Sequence, residues 1–228
     1  MHDKLRRAVA DGCIELVKRE LCDFGFGTVS LYDHTSGVII INPKGLPVTK
    51  VTPESVIAAL PSGEIVDGAG ELPYEFETHA VIYKAFSGVS AVASSCPTFA
   101  TSFAQAGRSL KPYGTAHAAL FGDMIPCTRK LTPSEIASDC AKNVGKLIVE
   151  AIESEPNLLS EVGAALVYAD GIYTFGSSPT SAVCKMAAAE KIARMAFYTE
   201  MLQRQGAAGG TRMQEDLLRC VYDRTNKK

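Results

Sequence analysis

The sequence predicts an α/β protein in which one mixed or mostly antiparallel sheet is covered by helices. Three observations predict it. Short β-rich runs recur between Thr28 and Phe175 with turn residues between them. Hairpin joins outnumber strand–helix–strand crossovers, which argues against a doubly wound parallel sheet. Long stretches near the start, middle and end carry apolar residues at helical spacing.

The elements follow in order. Residues 3–21 form an amphipathic helix through Leu5, Val9, Cys13, Leu16 and Val17, and Gly25 and Gly27 punctuate its end. Thr28–Tyr32 and Gly37–Ile41 are strands around the polar turn Asp33-His34-Thr35-Ser36. Thr52-Pro53-Glu54 has the form of a helix start, with Pro in the first turn. Val56–Leu60 and Glu64–Val66 pair around Pro61-Ser62-Gly63. Glu75–Phe86 is a helix, Val89–Ala93 a strand and Pro97–Ala106 a helix. His117–Phe121 and Met124–Cys127 read as strands. Thr132-Pro133-Ser134-Glu135 opens a helix with Ile136, Cys140, Val144, Leu147, Ile148 and Ala151 on one face. Ala164–Tyr168 and Ile172–Phe175 pair around Asp170-Gly171. Ser178-Pro179 starts the longest helix, to Arg204, with Val183, Ala187, Ile192, Met195 and Leu202 inward. Gln205–Gly210 is a Gly/Ala linker, and Met213–Tyr222 a final helix. No repeat, low-complexity tract or long linker divides the chain, so residues 1–228 are expected to form one domain.

Composition narrows the function classes. The chain has 228 residues, 46% hydrophobic and 21% charged, with a formal net charge of −2, and no long stretch is dominated by one sign. That speaks against a nucleic-acid arm and against a polybasic membrane patch. No apolar run approaches ~18 residues, and residues 1–18 lack an apolar signal-peptide core, so a cytoplasmic protein is expected. Seven scattered cysteines without a C-x-x-C pair fit neither a disulfide framework nor a zinc ribbon. Gly25-Phe26-Gly27 opens like a dinucleotide loop, but it follows a helix and Ser30 replaces the last glycine. The four histidines, His2, His34, His79 and His117, show no metal-ligand spacing. For His79 the residues predict a helix side chain packed or hydrogen-bonded near the sheet, and for His117 a strand residue with a local partner.

Six segments, in order over residues 3–204, together resemble the class II aldolase/adducin family, most of all its L-ribulose-5-phosphate 4-epimerase branch. Gly27-Thr28-Val29-Ser30 resembles the family's G-N-[IV]-S loop, and Ile41-Asn42-Pro43-Lys44-Gly45 its I-K-P-S-G. Glu75, His79 and Tyr83 match [DE]-x-x-x-H-x-x-x-Y. Ala100–Arg108 is similar to A-T-S-W-A-Q-A-G-R, Gly122–Arg129 to the epimerase-type G-D-I-P-C-T-R, and Ala182–Met195 to the long C-terminal helix. The resemblance implies a three-layer α/β/α sandwich around a mostly antiparallel sheet. It also implies a homotetramer with sites at subunit interfaces, and a divalent metal, usually zinc, that stabilises an enediolate.

The departures fall on the chemistry. Where the family strand ends in V-H-T-H, this chain has Val92-Ala93-Ser94-Ser95-Cys96, so Ser94 and Cys96 replace two imidazole ligands. Where the family has H-G-H-G, this chain has Tyr168-Ala169-Asp170-Gly171, so Asp170 replaces the third. On the phosphate side Gly27 and Gly45 remain, Thr28 and Asn42 replace Asn and Lys, and Pro73-Tyr74 replaces a serine pair. The acid/base motif H-A-D reads His117-Ala118-Ala119, and Tyr222 stands as the counterpart of a C-terminal tyrosine. A hydroxyl, a thiol and a carboxyl are a poor set for a Lewis-acid zinc. The expectation is therefore a family member without metal cofactor, non-catalytic or repurposed. It would form a homotetramer, or a hetero-oligomer with an active paralogue, and a small sugar-phosphate-like molecule could bind at Gly27, Thr28, Asn42, Gly45 and Tyr74. The alternative is an active epimerase or aldolase with a rebuilt, metal-free site using Glu75 and Cys96, with Tyr222 as the C-terminal tyrosine.

Overall fold

A computed structural model describes residues 2–154, 163–204 and 212–226. Seven strands form one sheet: β1 (Thr28–Asp33), β2 (Val38–Ile41), β3 (Ile57–Ala59), β4 (Ile65–Asp67), β5 (Ala91–Ser95), β6 (Ala164–Leu166) and β7 (Ile172–Gly176). Their spatial order is β4-β3-β2-β1-β5-β7-β6, and every pairing is antiparallel. The helices are α1 (Asp3–Lys18), α2 (Phe76–Ala85), α3 (Thr98–Gln105), α4 (Thr115–Phe121), α5 (Pro133–Glu153), α6 (Pro179–Arg204) and α7 (Glu215–Asn226), with a 3-10 turn at Val48–Lys50.

Strand alternation sorts the helices into two layers. Val29 points to α1 and the start of α6, where a Cβ on Gly12 would run into both the Val29 side chain and Pro179. Its neighbour Ser30 points the other way, to His79 and Tyr83 of α2. Helices α1 and α3 pack along α6, which lies on β5 and β7, while α2 and α5 pack together on the opposite face. The result is the expected α/β/α arrangement. One apolar cluster runs through both faces, including the fully buried run Ile39-Ile40-Ile41. A second, small cluster joins Ala118 of α4 to Leu218 and Val221 of α7.

Several expectations need correction. Thr52-Pro53-Glu54 starts no helix: the Thr52 N–H donates to Ser55 Oγ and the Ser55 N–H to the Thr52 carbonyl, both at 3.0 Å, closing a local turn just before β3. His117–Phe121 is helical, not extended. The three alanines of Thr115–Phe121 favour a helix, glycines 114 and 122 bound it, and the His117 and Phe121 rings meet one turn apart. Met124–Cys127 joins no strand; it makes only single bridges, Leu110 with Ile125 and Cys127 with Leu166. Met195 and Leu202 of α6 are exposed rather than inward. Ile136 is exposed too, in the part of α5 that precedes its break at Asp139 (φ −144°, ψ 86°). The Gln205–Gly210 linker lies outside the described residues.

Candidate functional site

Register places the site. Thr28, Ser94 and Tyr173 are direct partners across β1, β5 and β7, so their side chains form one row on the α2 face. Glu75 caps the start of α2 above this row and accepts a hydrogen bond from Thr28 Oγ1 at 3.2 Å. One turn on, His79 is fully buried: Nδ1 lies 2.7 Å from Ser30 Oγ, and Nε2 lies 3.4 Å from Ser94 Oγ. Ser30 Oγ is also 2.7 Å from the Tyr83 hydroxyl. The match to Glu-x-x-x-His-x-x-x-Tyr is thus the helix side of a buried polar chain, Ser94–His79–Ser30–Tyr83. Burial holds the His79 imidazole near pKa 3, so the ring is neutral.

Cys96 follows β5, and the β6–β7 turn folds over it. A Cβ on Gly171 would run into the Ser95 carbonyl oxygen and press on Cys96 Sγ, so only glycine allows this approach. Burial first, then the charges of Asp170 and Glu75, push the Cys96 thiol up to about 11. It is a protonated thiol at neutral pH, the reverse of an activated nucleophile. Asp170 is exposed as a residue of the turn, yet its carboxyl is enclosed enough that burial, then Glu75, raise its pKa, against a hydrogen bond with Tyr173.

Beside this row lies a pocket of about 410 Å³ between α2, the first half of α5 and the β6–β7 turn. Tyr74, Glu75, Asp170 and Tyr173 line one end of it, and Leu131, Ile136, Val144 and Leu147 the walls. A hydrogen bond with Cys140, with burial and the charges of Asp139 and Asp170, pushes the Tyr74 phenol up to about 12. The walls were missed in the sequence, because the break at Asp139 that turns Ile136 and Cys140 toward the pocket has no glycine or proline to announce it.

The other expected residues lie outside this pocket. Gly27, Thr28, Asn42, Gly45, Ser94 and Cys96 do not line the pocket. Asn42 is buried and spent on its own loop: Oδ1 accepts from the Val29 N–H at 2.8 Å, and Nδ2 donates to the Gly27 carbonyl at 3.2 Å. Gly45 turns the chain at φ +75°. Tyr222 sits on α7, which packs on α4, and it does not line the pocket beside Glu75. His117, in α4, has Nε2 2.8 Å from the Asp123 carbonyl.

The residues present do not fit the metal that the resemblance implies. Ser94 offers a neutral hydroxyl beside His79 Nε2, and no imidazole stands beside the Cys96 thiol at the end of β5. Among the described residues, no group of three His, Cys, Asp or Glu side chains is arranged to hold a metal ion. Also among the described residues, no helix is long and apolar enough to cross a membrane.

Comparison with known proteins identifies the family and the fold. The chain is 31% identical over 195 residues to the L-ribulose-5-phosphate 4-epimerase UlaF of Salmonella paratyphi B, covering 85% of this chain and 84% of that protein. The Salmonella typhi protein of the same name matches equally. In three dimensions this chain resembles an L-fuculose 1-phosphate aldolase with a TM-score of 0.80 at 16% identity, over 97% of this chain and 95% of that one. An L-fuculose-1-phosphate aldolase from Thermus thermophilus gives 0.69 at 20% identity, over 92% and 100%. Residues 7–197 match the family model described as the class II aldolase and adducin N-terminal domain, and the chain belongs to that family.

Proposed function

We propose that this chain is a class II aldolase/epimerase-like protein that works without the family's metal chemistry, as a non-catalytic or repurposed member. The observation that carries the reading is the end of β5. The positions of two imidazole ligands hold a serine hydrogen-bonded within the buried His79 chain and a thiol raised to about 11. Enediolate chemistry needs concentrated positive charge at the developing oxyanion. Here the neighbouring groups are carboxyls, a thiol and a neutral imidazole. The metal-free alternative, with Glu75 and Cys96 as acid and base, draws on a thiolate that these same carboxyls disfavour. Tyr222, absent from the lining of the pocket beside Glu75, would act across subunits in a homotetramer or in a hetero-oligomer with an active paralogue.

The test is metal content and turnover on the same protein. After incubation with zinc, cobalt or manganese and dialysis, substoichiometric metal is expected. No conversion of L-ribulose 5-phosphate or L-fuculose 1-phosphate is expected either. Stoichiometric metal together with turnover sinks the proposal. Light scattering on the eluting peak reads the oligomer, and a monomer at all concentrations rules out a shared interfacial site.

A further inference from the structure

The pocket beside Glu75 has a chemistry of its own. Its volume of about 410 Å³ suits a small organic molecule. Its walls are apolar: Leu131, Val144 and Leu147 offer hydrocarbon. Its lining holds two carboxyl groups, Glu75 and Asp170. Two carboxyl groups lining one small pocket favour a ligand that carries positive charge.

Aromatic rings point the same way independently. Tyr74, Tyr168 and Tyr173 all line the pocket. The Tyr168 ring already accepts a cation from this chain, with Lys130 Nζ 5.0 Å from its centroid. Ring faces with carboxylates behind them recognise ammonium groups. The cation with most reach at the rim is not free to bind an anion. Arg129 is engaged by Glu135 at 2.9 Å and by Glu150 at 3.0 Å.

We infer that this pocket binds a small organic ammonium ion, with the hydrocarbon body against Leu131, Val144 and Leu147 and the charged nitrogen between Glu75, Asp170 and the tyrosine rings. The inference deepens the metal-free, repurposed reading above and rests on it. It makes the ligand an amine instead of a phosphorylated sugar.

Benzylamine, benzyl alcohol and benzyl phosphate are matched probes for calorimetric titration into the full chain, after chelation and dialysis. Benzylamine is expected to bind roughly tenfold or more tighter than benzyl alcohol, the ratio that one charge-assisted hydrogen bond supplies. Glu75→Gln and Asp170→Asn are each expected to remove most of that ratio while leaving benzyl alcohol unchanged. Circular dichroism reports whether the variants fold, and the comparison of probes on the unaltered chain needs no variant. Equal binding of amine and alcohol, binding of neither, or tighter binding of benzyl phosphate overturns the assignment. Metal measured on the undialysed samples separates the two claims. Stoichiometric zinc there, with turnover, defeats the metal-free reading, whereas metal-free protein that fails to prefer the amine defeats only the ammonium site.

Discussion

Ala169 sits at φ +59°, in the left-handed region, where the resembled pattern has glycine. An L side chain there costs about 1–2 kcal/mol, and a glycine would give back about 0.5–1 kcal/mol through its freer unfolded chain. The strain term wins. Ala169→Gly is therefore expected to raise the unfolding free energy by roughly 0.5–1 kcal/mol in urea titration. A loss of stability would show that the Ala169 methyl, which lines the pocket, contributes packing that outweighs the strain. At this scale the sequence was informative where chemistry is written in residue type. Ser94, Cys96, Asp170 and Glu75 are brought to neighbouring positions by strand register and by the glycine at 171. It was silent where a side chain's role depends on its partners. Asn42 looked like an altered phosphate ligand, but its amide is consumed by the backbone of Val29 and Gly27.

Helix ends show how elements hold one another. Glu190 of α6 reaches across to the start of α3 and accepts from the Phe99 N–H at 2.9 Å and the Ala100 N–H at 2.8 Å. These are free N–H groups of a helix first turn, and a carboxylate there satisfies donors and dipole together. Glu190→Ala is expected to cost about 1–3 kcal/mol, with Glu190→Gln retaining part of it, measured by chemical denaturation. A change within error would mean that water replaces the carboxylate at no cost. Elements with a strong local signal were legible. Thr132 and Glu135 cap α5 reciprocally as their spacing indicates, and the hairpins at 61–63 and 170–171 form. The segments that misled are those where tertiary context decides. His117–Phe121 is short and apolar, so helix and strand periods cannot be told apart in it. The end of α6 follows the helical pattern but leaves Met195 and Leu202 outside.

At the scale of the whole molecule, two neutral histidines set the response to acid. His79 bridges β1, β5 and α2 and is held near pKa 3 by burial; His117 in α4 is held near 4, again by burial first, against the pull of the Asp123 carbonyl. In the unfolded chain both titrate near 6.5. Between these values the unfolded state binds more protons, so stability is complete above about pH 6.5 and falls as pH drops toward 4. Each histidine accounts for about 2 kcal/mol between pH 7 and pH 5, a large part of a typical 5–15 kcal/mol total. Asp170, whose carboxyl pKa is raised, acts in the opposite direction over part of the same range, because the folded state then binds the extra proton. Urea titrations at pH 7 and pH 5 on the unaltered chain, His79→Asn and His117→Asn separate these contributions. Each variant is expected to start less stable at pH 7 and to lose roughly 2 kcal/mol less on acidification. If both variants kept the full acid sensitivity, the imidazoles would be charged in the fold, and the neutral buried chain from Ser94 to Tyr83 would have to be redrawn.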